Sequence, residues 1–262
     1  MELIKQLREM TGAGMVDCKK ALDEAGGDLT KAVEILRKKG IAKAAKRGDR
    51  ETNEGVVKIA VEGNEGFIFD LTSETDFVSR NEKFQNFADK AMALALASKP
   101  ADLESFLSLP VEDGSLKESL DMLSGTIGEK MEIRRFGRIT GQSLAAYSHL
   151  GGKLGVLIAL DTPGKEDLAM ELAMQIAAAN PKYVDSSQVD PSELAKEKEI
   201  YREQLIKEGK PEAMVDKILE GKVNKYYGEV CLIEQEYIKD DKKKVKDLLG
   251  SAKVLGFFRF GL

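Results

Sequence analysis

Two stretches of this sequence repeat one another's pattern, and that duplication limits the possible folds more than any single motif. Val56-Val57-Lys58-Ile59-Ala60-Val61 and Phe67-Ile68-Phe69-Asp70-Leu71 flank the turn residues Glu62-Gly63-Asn64-Glu65-Gly66, a spacing that predicts a β-hairpin. An amphipathic helix follows, with Phe84, Phe87, Ala88, Ala91 and Leu94 on one face. Beyond Pro100 come short helices around Leu103 to Leu109 and Leu116 to Ile127, then a strand from Met131 to Ile139. The same order returns downstream. Ser143 to His149 and Leu154 to Leu160 form a hairpin around Gly151-Gly152, and a helix from Glu166 to Ala179 carries Leu168, Leu172, Ile176 and Ala179 until Pro181 stops it. Lys253 to Phe260 closes the second copy, and both closing strands carry Arg-Phe-Gly, at 135–137 and 259–261. The expected fold class is α+β: a duplicated core of two three-stranded antiparallel sheets, each covered by helices on one side. Its copies span 54–140 and 141–262.

Two segments fall outside the duplication. The first forty or so residues read as three short helices, with stripes at Leu3, Leu7 and Met10, at Met15, Cys18, Ala21, Leu22 and Ala25, and at Leu29, Ala32, Val33 and Leu36. Gly12 closes the first, Gly26-Gly27 the second, and Asp28 is placed to cap the third. With Lys38 to Glu54 as a helical tail running into a linker, residues 1–53 make a small docking module. The second copy also carries a charged insertion at about 186–228. Glu193 to Lys207 and Pro211 to Tyr227 predict a projecting helical hairpin, with Leu194, Ile200, Leu205, Ile206, Val215, Ile218 and Leu219 as a thin apolar seam. Such a projection invites a partner or a second copy of the chain.

Composition narrows the function classes. A net charge of -5 and a pI near 5.3 argue against a duplex nucleic-acid binder, which needs a basic face. No apolar run approaches the ~18 residues of a membrane span, and the first residues begin an amphipathic helix with no targeting pattern. Two distant cysteines, Cys18 and Cys231, fit a reducing compartment, so a cytoplasmic protein is expected. A single histidine, His149, excludes a His-rich metal site, and no cofactor is called for. There is neither a G-x-S-x-G elbow nor a phosphate-binding loop; Gly12-Ala13-Gly14 follows a helix and reads as a helix–helix turn. Glu74 and Asp76 have the spacing of a hydrolytic pair, but two carboxylates beside a helix start are better read as capping and solvating it.

Ser73-Glu74-Thr75-Asp76-Phe77-Val78-Ser79-Arg80-Asn81 joins the second strand to the first long helix. Ser79-x-x-Glu82 fits a capping box, which puts Phe77 and Val78 at the edge of the helix. Physical chemistry alone leaves two readings open: Phe77 folds back as a staple, or it stands out as an aromatic anchor for a partner's pocket.

Thr75-Asp76-Phe77-Val78 resembles a signature of the elongation factor Ts family, exchange factors for elongation factor Tu. Thr11-Gly12-Ala13-Gly14-Met15-Val16-Asp17-Cys18-Lys19-Lys20-Ala21-Leu22 resembles that family's other signature. Phe84-Gln85-x-Phe87-Ala88 and Tyr147-x-His149 followed by Gly155-Val156-Leu157 fit it too. The resemblance runs from residue 2 to about 260. It implies a ubiquitin-associated-like N-terminal domain, the duplicated core and the helical insertion. It also implies binding of elongation factor Tu, GDP-bound and nucleotide-free, through Thr75, Asp76, Phe77 and Val78, with support from His149. In this picture Asp76 and Phe77 disturb the magnesium site and phosphate loop, while Leu7, Arg8, Met15 and Val16 dock on the guanine side. Some relatives continue into a further C-terminal helical module, where this sequence ends at Gly261-Leu262. Two competing readings are a scaffold or adaptor without exchange activity, and an acidic hydrolase.

Overall fold

The computed structural model describes residues 1–111 and 114–262. The chain opens with α1 (Glu2–Thr11), α2 (Met15–Glu24) and α3 (Leu29–Ala45). Gly12 ends α1 in the left-handed conformation that its missing β-carbon permits, and its N–H donates to the Arg8 carbonyl. Asp28 caps α3 by accepting from the Lys31 N–H, as its position predicts. Leu7, Cys18, Ala21, Leu22, Ala32 and Leu36 form the shared core.

The α1 stripe differs from expectation. Leu7 is buried and Ile4 packs beside it, whereas Leu3 and Met10 are exposed. Ile4, Leu7 and Thr11 lie at three- and four-residue spacing along one narrow face, and Leu3 and Met10 flank it outside the contact with the other two helices. The α3 tail also does more than lead into a linker. It runs against the helix Leu116–Ile127, where a β-carbon on Gly125 would lie 2.7 Å from the Gly40 Cα. Two glycines let the backbones meet, and such a contact leaves no apolar signature in the sequence.

The first copy of the core contains β1 (Glu54–Glu62), β2 (Glu65–Ser73), the single-turn α4 (Asp76–Ser79), α5 (Glu82–Ser98) and α6 (Leu103–Leu107). It continues through the two-residue strands β3 (Pro110–Val111) and β4 (Gly114–Ser115), then α7 (Leu116–Ile127) and β5 (Met131–Thr140). The second contains β6 (Ser143–His149), β7 (Leu154–Leu160), α8 (Glu166–Ala179), α9 (Pro191–Lys207) and α10 (Glu212–Val230). It ends with β8 (Glu236–Tyr237), β9 (Asp240–Lys244), α11 (Lys246–Leu249) and β10 (Val254–Gly261). The main sheets run β1-β2-β5 and β6-β7-β10, all antiparallel, so the two copies share one topology.

Strand periodicity assigns each face. Phe67, Phe69 and Leu71 of β2 pack with Phe84, Ala88 and Ala91 of α5. Val156, Ile158 and Leu160 of β7 pack with Ala169, Leu172 and Ile176 of α8. The alternate residues meet between the sheets, where Val57 and Ile68 touch Leu157 and Phe260. Helices therefore cover the outer faces of two sheets packed back to back. Glycines make the close approach possible: a β-carbon on Gly66 would meet Leu157 at 2.6 Å, and one on Gly137 would meet the Phe258 ring at 2.8 Å.

One charged residue sits in this interface. Asp70 is fully buried on the inward face of β2. Opposite it a bulge interrupts the pairing of β2 with β5. There Asp70 Oδ1 accepts from the backbone N–H groups of Arg134 at 3.2 Å and Arg135 at 2.8 Å. Its Oδ2 accepts from Arg135 Nε at 2.8 Å and pairs with Arg135 Nη2 at 2.6 Å. Arg135 Nη2 donates on to the Gly261 carbonyl at 2.9 Å, and the guanidinium lies 4.6 Å from the Phe260 ring centre. The Arg-Phe-Gly of one closing strand thus grips that of the other.

The insertion forms the expected pair of helices with a different seam. Leu205, Val215, Val223 and Tyr226 are buried, while Ile200 and Ile206 are exposed. Near the root Tyr226 packs with Val189 and Cys231, with Tyr183, Leu194 and Tyr201 beside them. Glu193 accepts there from the hydroxyls of Tyr183 at 2.6 Å and Tyr226 at 2.7 Å. With Lys182 these donors hold its carboxyl at about 2, below the ordinary 4.5. A depressed carboxylate stabilises the fold above its ordinary value and loses that contribution as pH falls toward the depressed one. The hairpin root should therefore loosen between about pH 4.5 and 2. Glu193→Gln should remove that pH dependence, measured as the difference from the parent chain in tyrosine fluorescence during acid titration.

Candidate functional site

Past Ser73 the chain is clamped from one side. The Glu74 carboxylate accepts from the Lys130 N–H at 2.6 Å and from Arg50 Nη1 at 3.1 Å. Glu129 then takes both donors of the next residue, the Thr75 N–H at 3.0 Å and the Thr75 hydroxyl at 2.7 Å. Residues 129 and 130 lie in the short connection between α7 and β5, so the clamp is tied to a helix and a strand. The Lys130 N–H first, then Arg50, hold the Glu74 carboxyl below the usual range. Its carboxylate is committed to the Lys130 N–H and Arg50, so it does not cap the helix that follows.

The single turn of α4 then sends its two apolar side chains to opposite fates. Val78 is 8% exposed and packs into the first-copy core, whereas its neighbour Phe77 is 84% exposed. Adjacent helical residues point about 100° apart, so seating Val78 turns Phe77 outward. Asp76 stands beside it in the first turn, paired with Arg80 at 3.2 Å. The capping box expected at Ser79 does not form. Ser79 is buried and belongs to α4, donating to the Asp76 carbonyl, and Asn81 caps α5 through the Lys83 N–H at 2.9 Å. An extra turn of helix before α5 moved its start past the serine.

His149 is the last residue of β6 and is exposed. Its Nδ1 lies 3.0 Å from the Tyr147 hydroxyl, with the two rings stacked at an interplanar angle of 24°. The hairpin tip beyond it rests on the first copy. A β-carbon on Gly152 would meet Val56 Cγ2 at 2.8 Å, and Lys153 Nζ reaches Glu54 Oε2 at 2.7 Å. Glu54 is the register partner of Ser73, the residue at which the clamped segment begins. The His149 tip and the Phe77 turn therefore lie at the same end of the β1–β2 hairpin.

The N-terminal helices reach the same neighbourhood through Lys83 in the first turn of α5, whose Nζ donates to the Gly12 carbonyl at 3.4 Å. Of the residues expected to dock there, Arg8, Met15 and Val16 are exposed. Leu7 is not available: it is fully buried among the three helices, so it supports the face without touching a partner. Leu3 and Met10 on the same helix are exposed apolar residues. Three further residues carry no sequence signature of a site role that pattern alone would find. Glu129 and Arg50 clamp the segment from far along the chain, and Leu150 stands 70% exposed beside His149.

No group of three or more His, Cys, Asp or Glu side chains that could hold a metal occurs among the described residues. Both cysteines are buried and unpaired, and burial pushes the Cys231 thiol up to about 11. No helix among the described residues is long and apolar enough to cross a membrane. A protein-family model described as "Elongation factor TS" matches residues 74–262. That span covers well over half of the chain, beginning at Glu74 and including the Phe77 turn, the His149 tip and the helical insertion.

Proposed function

We propose, because this chain belongs to the elongation factor Ts family, that it prises GDP and magnesium from elongation factor Tu with Asp76 and Phe77 as the wedge. The family's role is nucleotide exchange on elongation factor Tu, a function of binding and not of covalent catalysis. The observation that carries the finer reading is Phe77: an aromatic ring 84% exposed on a backbone clamped by Glu74 and Glu129. Holding a large apolar group in water on a rigid turn gains the fold nothing. It prepares that group for a partner's pocket at little ordering cost.

Exchange follows from reciprocity. A protein that binds the nucleotide-free GTPase more tightly than the GDP form weakens GDP binding by the same factor. A thousandfold loosening corresponds to about 4 kcal/mol. Burying one Phe contributes roughly 1.5–3 kcal/mol, so Phe77 supplies much of this and Asp76, Thr75, Val78 and His149 share the rest. Val78 and Thr75 act through the position of the turn. Arg8, Met15 and Val16 dock the N-terminal helices, a ubiquitin-associated-like domain of residues 1–53, and the chain engages both the GDP-bound and nucleotide-free forms. The insertion offers a surface for a second copy of the chain, which sedimentation of a variant lacking residues 186–228 tests. The direct test is release of a fluorescent GDP analogue from purified elongation factor Tu, with and without the chain. Unchanged release would return the scaffold reading to first place.

The clamp makes its own prediction. Glu129→Ala frees the Thr75 N–H and hydroxyl, so the start of α4 should loosen and hold Phe77 less firmly around the Val78 seat. Exchange should fall by about tenfold, the equivalent of one charge-assisted contact of ~1.5 kcal/mol. The loss should be much smaller in a Phe77→Ala background, because both changes act through one side chain. Full additivity in that double-mutant cycle would show that Glu129 works elsewhere.

A further inference from the structure

Leu150 combines an unfavourable backbone with an unfavourable side-chain environment. Its φ is 52°, in the left-handed region where a β-carbon crowds the backbone and glycine or asparagine is preferred. Gly151 follows at φ 66°, so the tip carries consecutive positive φ angles, a geometry for which hairpins favour Asn-Gly or Asp-Gly. Among the described residues two other non-glycines have positive φ, Lys99 and Asn180. Both are the left-handed C-caps of long helices, α5 and α8, a position with its own structural return. Leu150 has none of that return: it sits in a hairpin tip with its side chain 70% exposed, so burial does not offset the strain. Isolated exposed leucines are ordinary on protein surfaces. An exposed leucine in a conformation that disfavours leucine is not.

Its place in the fold supplies the reason. The tip is fixed to the start of β1 by the Gly152–Val56 contact and the Lys153–Glu54 pair, and Glu54 lies opposite Ser73, three residues before Asp76. His149, immediately before Leu150, is oriented by Tyr147. We propose that Leu150 is a second apolar probe, inserted into the same GTPase beside the Phe77 contact. The partner it fits is an apolar depression on the nucleotide domain next to the one that receives Phe77. The proposal rests on the exchange function proposed for the Phe77 turn. On this view the tip keeps a strained leucine because contact with the partner outweighs the strain, and strained residues of this kind gather at functional sites.

The test exploits effects of opposite sign. Leu150→Asn suits the left-handed backbone and removes the apolar group; Leu150→Met keeps the apolar group and the strain. Leu150→Asn should raise the melting temperature by about 2 to 4 °C and lower the rate of GDP release from elongation factor Tu by about tenfold. Leu150→Met should leave both near the parent values. The full-length parent and Phe77→Ala are run in the same stopped-flow assay. If the parent accelerates release, Phe77→Ala does so far less, and Leu150→Asn matches the parent, the Leu150 proposal falls alone. A drop in melting temperature for Leu150→Asn would also overturn it, by showing that the leucine serves the fold. If the parent itself leaves GDP release unchanged, the exchange reading falls and takes this proposal with it.

Discussion

Phe77→Ala should lose between one and two orders of magnitude of GDP-release acceleration while melting within about 1 °C of the parent chain. The loss corresponds to roughly 1.5–3 kcal/mol of apolar burial that the ring gains on meeting its partner. The unchanged melting temperature follows from exposure. The ring is 84% accessible, and substitutions at such positions usually alter stability by no more than about 0.5 kcal/mol. Phe77→Leu should fall between the two, since it keeps part of the apolar surface. A variant that melts well below the parent would place Phe77 in the core after all. One that exchanges at the parent rate would move the wedge elsewhere. Val78→Ala is the useful contrast: Val78 is seated in the core, so its truncation should lower stability as well as exchange.

Asp70→Ala should destabilise the chain more than Phe77→Ala, Val78→Ala or Glu129→Ala, with little direct effect on partner contact. The carboxylate is buried between the two sheets and satisfies two backbone N–H groups at the β5 bulge together with the Arg135 guanidinium. Removing it leaves those donors without an acceptor and a cation beside an apolar interface. Breaking a buried pair in this way costs about 3–5 kcal/mol. Arg135 is partly exposed and can turn toward water, which favours the lower end. The corresponding fall in melting temperature is roughly 10 °C for a chain of this size. Asp70→Asn keeps an oxygen for the two N–H groups and should lose less than half as much. Thermal melts of the three proteins check this, and an Asp70→Ala chain that melts with the parent would show the link between the copies to be incidental.

Much of the architecture was legible because it rests on local periodicity. The hairpins at 54–73 and 143–160, the helix 116–127 and the closing strands are bounded by turn residues and alternate as strands and helices must. Residues whose role depends on a distant partner were harder to read. Asp70 lies in an otherwise apolar run, and its partners are more than sixty positions away. Gly40 and Gly125 mark a helix crossing through the absence of side chains, so a packed helix read as a tail. In α1 the face that is buried depends on where α2 and α3 lie, and Leu3 and Met10 were misassigned for that reason. Glu193 was one charge among many until two tyrosines closed on it.

The candidate site divides in the same way. Sequence alone determined that Thr75 to Val78 is a short polar-and-apolar junction between a strand and a helix, that His149 ends a hairpin strand, and that the chain carries its core twice. It left Phe77 equally able to staple a helix or to stand in water. The tertiary structure decided that question by seating Val78 in the core and fastening Thr75 to Glu129. It also laid the second hairpin's tip against β1, beside the junction, once the sheets packed back to back through their glycines. The physical reason is that periodicity records which face of an element is apolar, while only packing determines what covers that face and which side chain is left outside.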